Sequence, residues 1–304
     1  PFYAESGGQV GDTGLIKNAT VEIQVNNVTK STNGLFLHHC KLNKGELKKG
    51  DKVELLVDVK NRFATMRNHT ATHLLHKALK VVLGDHIQQA GSLVSPDRLR
   101  FDFNHFAQVS KEELMKVEQL VNEQIYNAID VQTQVMDIED AKKTGAMSLF
   151  DEKYGETVRV LSIGEFSKEF CGGTHVKNSN EIGMFKIVSE GGVASGVRRI
   201  EAITGYSVYN FIVEKQELIE NVSSTLKTSQ DNLLKRASDL MAENKNLQKK
   251  IKEVQSAGAK TDIDSVIKSA KKINDVNLVV SSFEDMEDDI LRDFAQNIID
   301  KVEN

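Results

Sequence analysis

The chain has 304 residues, 39% of them apolar and 27% charged, with a formal net charge of −5. Length allows two or three domains, since single cores seldom grow beyond roughly 250 residues. No apolar run approaches the ~18 residues that cross a bilayer, so the sequence reads as soluble with no membrane partner. Only two cysteines occur, Cys40 and Cys171, which excludes a dense disulfide framework and favours a reducing, cytoplasmic setting.

In chain order, residues 1–60 open on Pro1 with no secretory signal, which reads as a cut inside a longer protein. Val21–Val25 and Val53–Val57 alternate between the turn signals Asn33-Gly34 and Lys49-Gly50-Asp51, and a small β-barrel is expected. From about Asn61 to Leu83 the pattern becomes helical, with Gly84 where a C-terminal cap belongs. Strands are expected at Gly91–Val94 and Leu99–Phe103. A helix should follow from Ser110, with Glu113 at the capping-box spacing and Leu114, Val117, Val121 and Ile125 on one face. Val158–Ile163, Met184–Ser189 and Val197–Ile203 read as further strands, so residues 61–204 are expected to form an α+β domain.

Beyond Gly205 the sequence is polar, proline-free and helical to about Gln255. Leu233, Ala237, Leu240, Asn244, Leu247, Ile251 and Val254 step as a helix seam, with Asn244 as its polar position. Residues 227–232 separate this stretch from an earlier one carrying Phe211, Leu218 and Val222, so a coiled-coil-like helical hairpin is expected over 205–256. From Thr225 to Lys260 there are eight Lys/Arg and four Asp/Glu, a mild basic bias that either touches RNA or is a solvated face. Asp262–Ile273, Val276–Phe283 and Asp285–Val302 read as helix, strand, helix, the start of an α/β domain over 257–304 that stops short.

His69 and His73 stand four residues apart on the first helix, so both imidazoles project from one face. Such a pair is either two satisfied histidines or half of a metal site. The metalloprotease version needs Glu directly after the first His, and Thr70 stands there, which disfavours peptide hydrolysis. Cys171-Gly172-Gly173-Thr174-His175 supplies a thiolate and an imidazole around a tight turn, and soft sulfur with imidazole suits zinc. Three histidines and a cysteine fill a tetrahedron; a closed set is normally structural, so a catalytic role needs one exchangeable ligand. His76 is expected to pack or support the ligands. His38-His39-Cys40 lies in an alternating strand, where neighbouring side chains face opposite ways, and is not expected to bind metal.

Six motifs together resemble alanyl-tRNA synthetases, in family order: Phe2 to Asp12, His69-Thr70-Ala71-Thr72-His73-Leu74-Leu75-His76, Gln89-Ala90-Gly91-Ser92, Arg100-Phe101-Asp102-Phe103, Cys171 to His175, and Gly196-Val197-Arg198-Arg199-Ile200-Glu201. The resemblance spans essentially the whole chain. It implies a β-barrel with a glycine motif, an editing core, a helical hairpin and a C-terminal domain that binds tRNA and can mediate a homodimer. It implies Zn2+ held by His69, His73, Cys171 and His175, with His73, Cys171 and Gln89 at the catalytic centre. The implied reaction is hydrolysis of tRNA(Ala) mischarged with serine or glycine. Gln89 and Thr70 are the expected contacts to the serine hydroxyl, although Gln89 could merely cap a strand and Thr70 merely pack. Gly172 and Gly173 are expected beside the substrate, and Arg198 and Arg199 near acceptor-stem phosphates. The ATP-binding aminoacylation motifs of the family are not in this sequence, so the chain alone is not expected to charge tRNA, whereas the parent enzyme attaches alanine using ATP. A free-standing alanyl-tRNA editing protein and a non-catalytic tRNA-binding or dimerisation module with structural zinc are the competing readings.

Overall fold

The computed structural model describes residues 1–147, 155–274, 276–282 and 288–302, with the side chains of 255–262, 289 and 290 outside that description. Two compact units result, Pro1–Glu214 and Lys215–Asn304.

The first unit takes in both the glycine-motif region and the α+β region. It opens with β1 (Gly14–Lys17), β2 (Glu22–Lys30), β3 (Phe36–Lys44) and β4 (Glu54–Val57), antiparallel in the order β3-β2-β1-β4. The expected barrel is therefore an open sheet: β3 and β4 are its two edges and are not paired with each other. Closure needs strands tilted and staggered until the edges meet, and here two of the four strands have only four residues. One face is closed instead by the N-terminal segment, whose Phe2 and Ala4 pack on Val25 and Val28.

Helix α1 (Val59–Leu83) begins where the Asp58 side chain accepts from the Asn61 amide, and ends where the Gly84 amide donates to the Lys80 carbonyl. It packs with α2 (Lys111–Tyr126), whose Ser110–Glu113 capping box forms as expected. Before α2 come β5 (Gln89–Val94) and β6 (Leu99–Asn104). After it come β7 (Val131–Asp137), the short α3 (Ile138–Lys143), β8 (Thr157–Ile163), β9 (Ser167–Phe170), β10 (Phe185–Ala194) and β11 (Val197–Thr204). Two antiparallel sheets result, β10-β11-β6-β5 and β7-β8-β9. The sequence reading missed β7, α3 and β9; β7 alternates as Val131-Gln132-Thr133-Gln134-Val135 but is largely exposed on both faces.

The main core joins Leu74, Leu75, Ala78 and Leu79 of α1 to Val117, Val121 and Ile125 of α2, and to Leu99, Phe101, Phe103, Phe185 and Ile200 of the four-stranded sheet. Fully burying one such side chain is worth roughly 1.5–3 kcal/mol, and this cluster fixes the ligand-bearing helix. The glycine motif is stitched to the edge of the same sheet: the Val10 amide donates to the Val94 carbonyl and the Val94 amide to the Gly8 carbonyl, at 3.0 and 2.7 Å. Gly8 has φ +83°, and a side chain there would collide with Ser92. Only glycine lets the two backbones meet so closely.

Helix α4 (Tyr206–Thr225) is followed by α5 (Leu233–Lys268), and residues 226–232 separate them. Helix α5 is continuous through 256–257, where a domain boundary was expected, so no break in secondary structure marks it. Within the second unit the expected seam is open in its later part, where Leu247, Ile251 and Val254 are 58%, 55% and 71% exposed, while Leu233, Ala237 and Leu240 are half-buried. The expected helix Asp262–Ile273 is the end of α5 to Lys268 and then a strand, β12 (Lys271–Ile273), which pairs as a hairpin with β13 (Val276–Leu278) where the single strand was expected, and α6 (Asp288–Lys301) follows. Ile263 and Val266 of α5 pack with Phe294 of α6. Phe283 and Asp285, the expected ends of a strand and a helix, lie outside the described residues. No helix of the described residues is long and apolar enough to cross a membrane.

Candidate metal centre

The first unit brings His69, His73, Cys171 and His175 together, with one potential ligand atom from each within 4.8 Å of all the others. Helix α1 supplies the first two, one turn apart, and their rings stack with centroids 5.2 Å apart. The turn after β9 supplies the other two. Cys171 Sγ lies 3.4 Å from His69 Nε2 and 3.2 Å from His175 Nε2. Ligand pairs around tetrahedral zinc stand roughly 3.3–3.6 Å apart, from the usual bond lengths, so the donor set is close to the spacing that zinc demands.

All three imidazoles are held from behind through Nδ1, each by a different partner. His69 Nδ1 donates to Gln9 Oε1 at 2.8 Å, His73 Nδ1 to Glu169 Oε2 at 2.7 Å, and His175 Nδ1 to Thr70 Oγ1 at 3.2 Å. The Thr70 hydroxyl proton goes to the Met66 carbonyl at 2.9 Å, which leaves its oxygen free to accept. Gln9 is oriented in turn by the Thr174 amide, which donates to the same Oε1 at 2.9 Å. This is the outer shell that metal-binding histidines use to fix tautomer and ring plane. It turns Nε2 of each ring toward the cluster. His73 Nε2 is buried and makes no hydrogen bond, a cost that a metal ion would remove.

The charges agree. Burial would raise the Cys171 thiol, but the three histidines hold it well below its ordinary value, so a thiolate is available. Burial and the neighbouring His69 lower His175 to about 3. Burial would also lower His73, yet Glu169 and the Cys171 thiolate raise it to about 10. Burial would raise Glu169, and His73 instead brings it down to about 2. The His73–Glu169 contact is thus a buried ion pair in the metal-free protein. His76 also donates to Glu169, at 3.3 Å, and Ser167 Oγ does so at 3.1 Å.

His69, His73, Cys171, Gly172 and Gly173 border a cavity of about 300 Å³, with Tyr3, Ser6, Gly7, Thr72, Gln89, Ser92 and Arg159 among its other walls. Gln89 is there as expected, its amide nitrogen donating to Ser92 Oγ at 3.3 Å. Thr70 is not. It is fully buried behind His175 and supports a ligand rather than meeting a substrate. Arg198 and Arg199 lie outside the cavity wall, and both are neutralised. Arg198 makes a two-pronged pair with Glu190, and Arg199 one with Asp102 at 2.7 and 2.8 Å. In β3, His38 packs edge-on against Phe2, His39 faces Thr29 and Cys40 is exposed, so the second histidine–cysteine run forms no cluster.

Sequence reasoning missed Gln9, Glu169 and Arg159. Gln9 stood within the glycine motif, and Glu169 is a fully buried acid two residues before Cys171. Glu169 follows Ser167 and Lys168 in a short polar strand, which gave no signal of its burial.

Two family models place parts of the chain in the tRNA synthetase class. The family model for the threonyl and alanyl tRNA synthetase second additional domain matches residues 158–201, and that for class II (A) tRNA synthetases matches residues 1–61. Within that class, the chain belongs to the alanyl-tRNA synthetase family. It is 49% identical to an alanine–tRNA ligase of Clostridioides difficile (strain 630), 46% to one of Alkaliphilus oremlandii (strain OhILAs) and 47% to one of Fervidobacterium nodosum (strain ATCC 35602 / DSM 5306 / Rt17-B1), in each case over 99% of this chain and 34% of the relative. The chain therefore spans about a third of the length of the curated relatives it matches.

Proposed function

We propose that this chain is a zinc-dependent aminoacyl-tRNA deacylase that clears serine or glycine from tRNA(Ala), within a longer protein that attaches alanine to the same tRNA. The observation that carries this reading is the four-ligand cluster opening on a polar cavity. The family matches add the substrate class.

His69, His73, Cys171 and His175 would hold the ion, which when bound supplies positive charge and Lewis acidity at the cavity wall. The chain's own residues do the rest. Gln9, Glu169 and Thr70 fix the ligand rings, and Gln89 stands where it can donate to or accept from a seryl hydroxyl. A site built to bond that hydroxyl discriminates against alanine, which leaves the buried polar groups unpaired. In the reaction a water oxygen bonds to the ester carbonyl carbon, the bond from that carbon to the ribose oxygen breaks, and the ribose oxygen takes the proton. No aspartate or glutamate lines the cavity among the described residues. Water and the neighbouring ribose hydroxyl are the candidates for proton transfer.

A closed set of four protein ligands is the observation that favours a structural ion. Deacylation of Ser-tRNA and Ala-tRNA, with and without a chelator, separates the two readings. The deacylase reading expects Ser-tRNA hydrolysis that a chelator abolishes and Cys171→Ala removes without unfolding the chain. Unchanged hydrolysis by Cys171→Ala would sink it.

A further inference from the structure

We propose that Arg159 is the anion-binding residue of the cavity, and that it takes the phosphate of the esterified terminal nucleotide. The proposal rests on the deacylase reading and adds a substrate contact to it.

Among the described residues lining the cavity, Arg159 is the only lysine or arginine, and none of them is a carboxylate. In the same unit Arg62, Arg98, Arg100, Arg198 and Arg199 have carboxylate partners, and Arg67, which is not in the cavity wall, donates to the Glu181 carbonyl. Among the described residues Arg159 has no carboxylate partner. Its hydrogen bonds are both made by Nη1, to the carbonyl oxygens of Cys171 at 3.1 Å and Gly173 at 2.5 Å. These grip the ligand turn and fix the plane of the guanidinium. Nε and Nη2 are left as a donor edge, the shape that binds a phosphate through two oxygens. An arginine whose charge is not neutralised, yet whose position is fixed in advance, loses little side-chain freedom on binding an anion. Tyr3, Cys171 and Arg159 line the same cavity.

The position suits the substrate. Arg159 is anchored to the carbonyl of a ligand residue, so an ester held at the cluster puts its own nucleotide's phosphate one ribose away, within the reach of the free edge. Arg198 and Arg199, the expected phosphate contacts, have their forks filled by Glu190 and Asp102.

The test compares two serine esters, of tRNA and of adenosine without phosphate, on the wild-type chain, Arg159→Gln and the charge-retaining Arg159→Lys, with metal content measured for each. Loss of one charge-assisted contact is expected to raise KM for the tRNA ester roughly tenfold or more in Arg159→Gln, with a far smaller change for the adenosine ester. Arg159→Lys should recover most of that difference. The slope of log KM against log salt should fall by about 0.7, the contribution of one phosphate in a single strand. Equal losses on both esters, an unchanged salt slope, or loss of metal in Arg159→Gln would overturn the proposal, because each marks a residue that only holds the turn. Hydrolysis of neither ester by the wild-type chain would overturn the deacylase reading and this proposal together.

Discussion

Helices α1 and α5 have 25 and 36 residues and both carry apolar side chains at helical spacing, yet their surroundings are opposite. In α1, twelve residues are buried, and more than half of them are polar: Thr65, Asn68, His69, Thr70, Thr72, His73 and His76. In α5, Leu234, Met241 and Leu247 are 88%, 76% and 58% exposed. Burying a polar group costs free energy unless it is hydrogen-bonded, and α1 meets that condition for its threonines and Asn68, while Nε2 of His73 and of His76 is left unpaired. Thr65, Thr70 and Thr72 donate to carbonyls four residues back, and Asn68 donates to the Ser95 carbonyl and accepts from Thr204. The buried polar face of α1 thus surrounds the ligand cluster, whereas the apolar side chains of α5 between Met241 and Val254 stay exposed, unlike Ile263 and Val266 further along, which pack on α6.

The most damaging change expected in the first region is Glu169→Gln. It leaves a buried imidazolium uncompensated, at a cost of roughly 3–5 kcal/mol in the metal-free chain, and should lower metal affinity roughly 10–100-fold. Denaturant titration after chelation and metal-competition titration check the two parts. The pair also sets a pH window. Glu169 is depressed from 4.5 to about 2, so its contribution is present above the ordinary value and is lost as pH falls toward 2. His73 is raised from 6.5 to about 10, so its contribution is present below the ordinary value and is lost as pH rises through 10. Metal-free stability should fall at both ends, and Glu169→Gln should flatten the profile.

Leu75→Ala, one turn from the ligands and fully buried, should cost roughly 2–5 kcal/mol, read as a shift in denaturation midpoint. Gly173→Ala tests the close approach at the turn, where a Cβ would run into the His69 ring and the Gln9 amide. Its expected result is a roughly tenfold or greater loss of metal affinity with helix content preserved by circular dichroism. The smallest effect belongs to α5: Leu247→Ser should stay within about 0.5 kcal/mol. A larger loss in the 304-residue chain would show that its seam is packed in solution and would erase the contrast between the helices.

Much of the local structure was readable without coordinates. The Ser110–Glu113 capping box and the Gly84 terminus followed from side-chain chemistry that acts within four residues, and the two ligand pairs from spacing on a helix and around a two-glycine turn. The barrel was misread because alternation specifies strands but says nothing of whether the edge strands meet. Thr70 was misassigned because its position on the ligand helix does not reveal which way its hydroxyl is committed, and the Met66 carbonyl and His175 claim it. Arg198 and Arg199 looked free in a linear reading, and strand pairing supplied their carboxylates.

By itself, the sequence determined which side chains could ligate a metal, where α1 ends and α2 begins, and the family to which the chain belongs, because each rests on residue identity at short or ordered spacing. Only the tertiary structure decided what stands behind each ligand: Gln9 from 60 residues upstream of His69, and Glu169 from 96 residues downstream of His73. Those contacts depend on how strands and helices pack, and no local pattern carries that information.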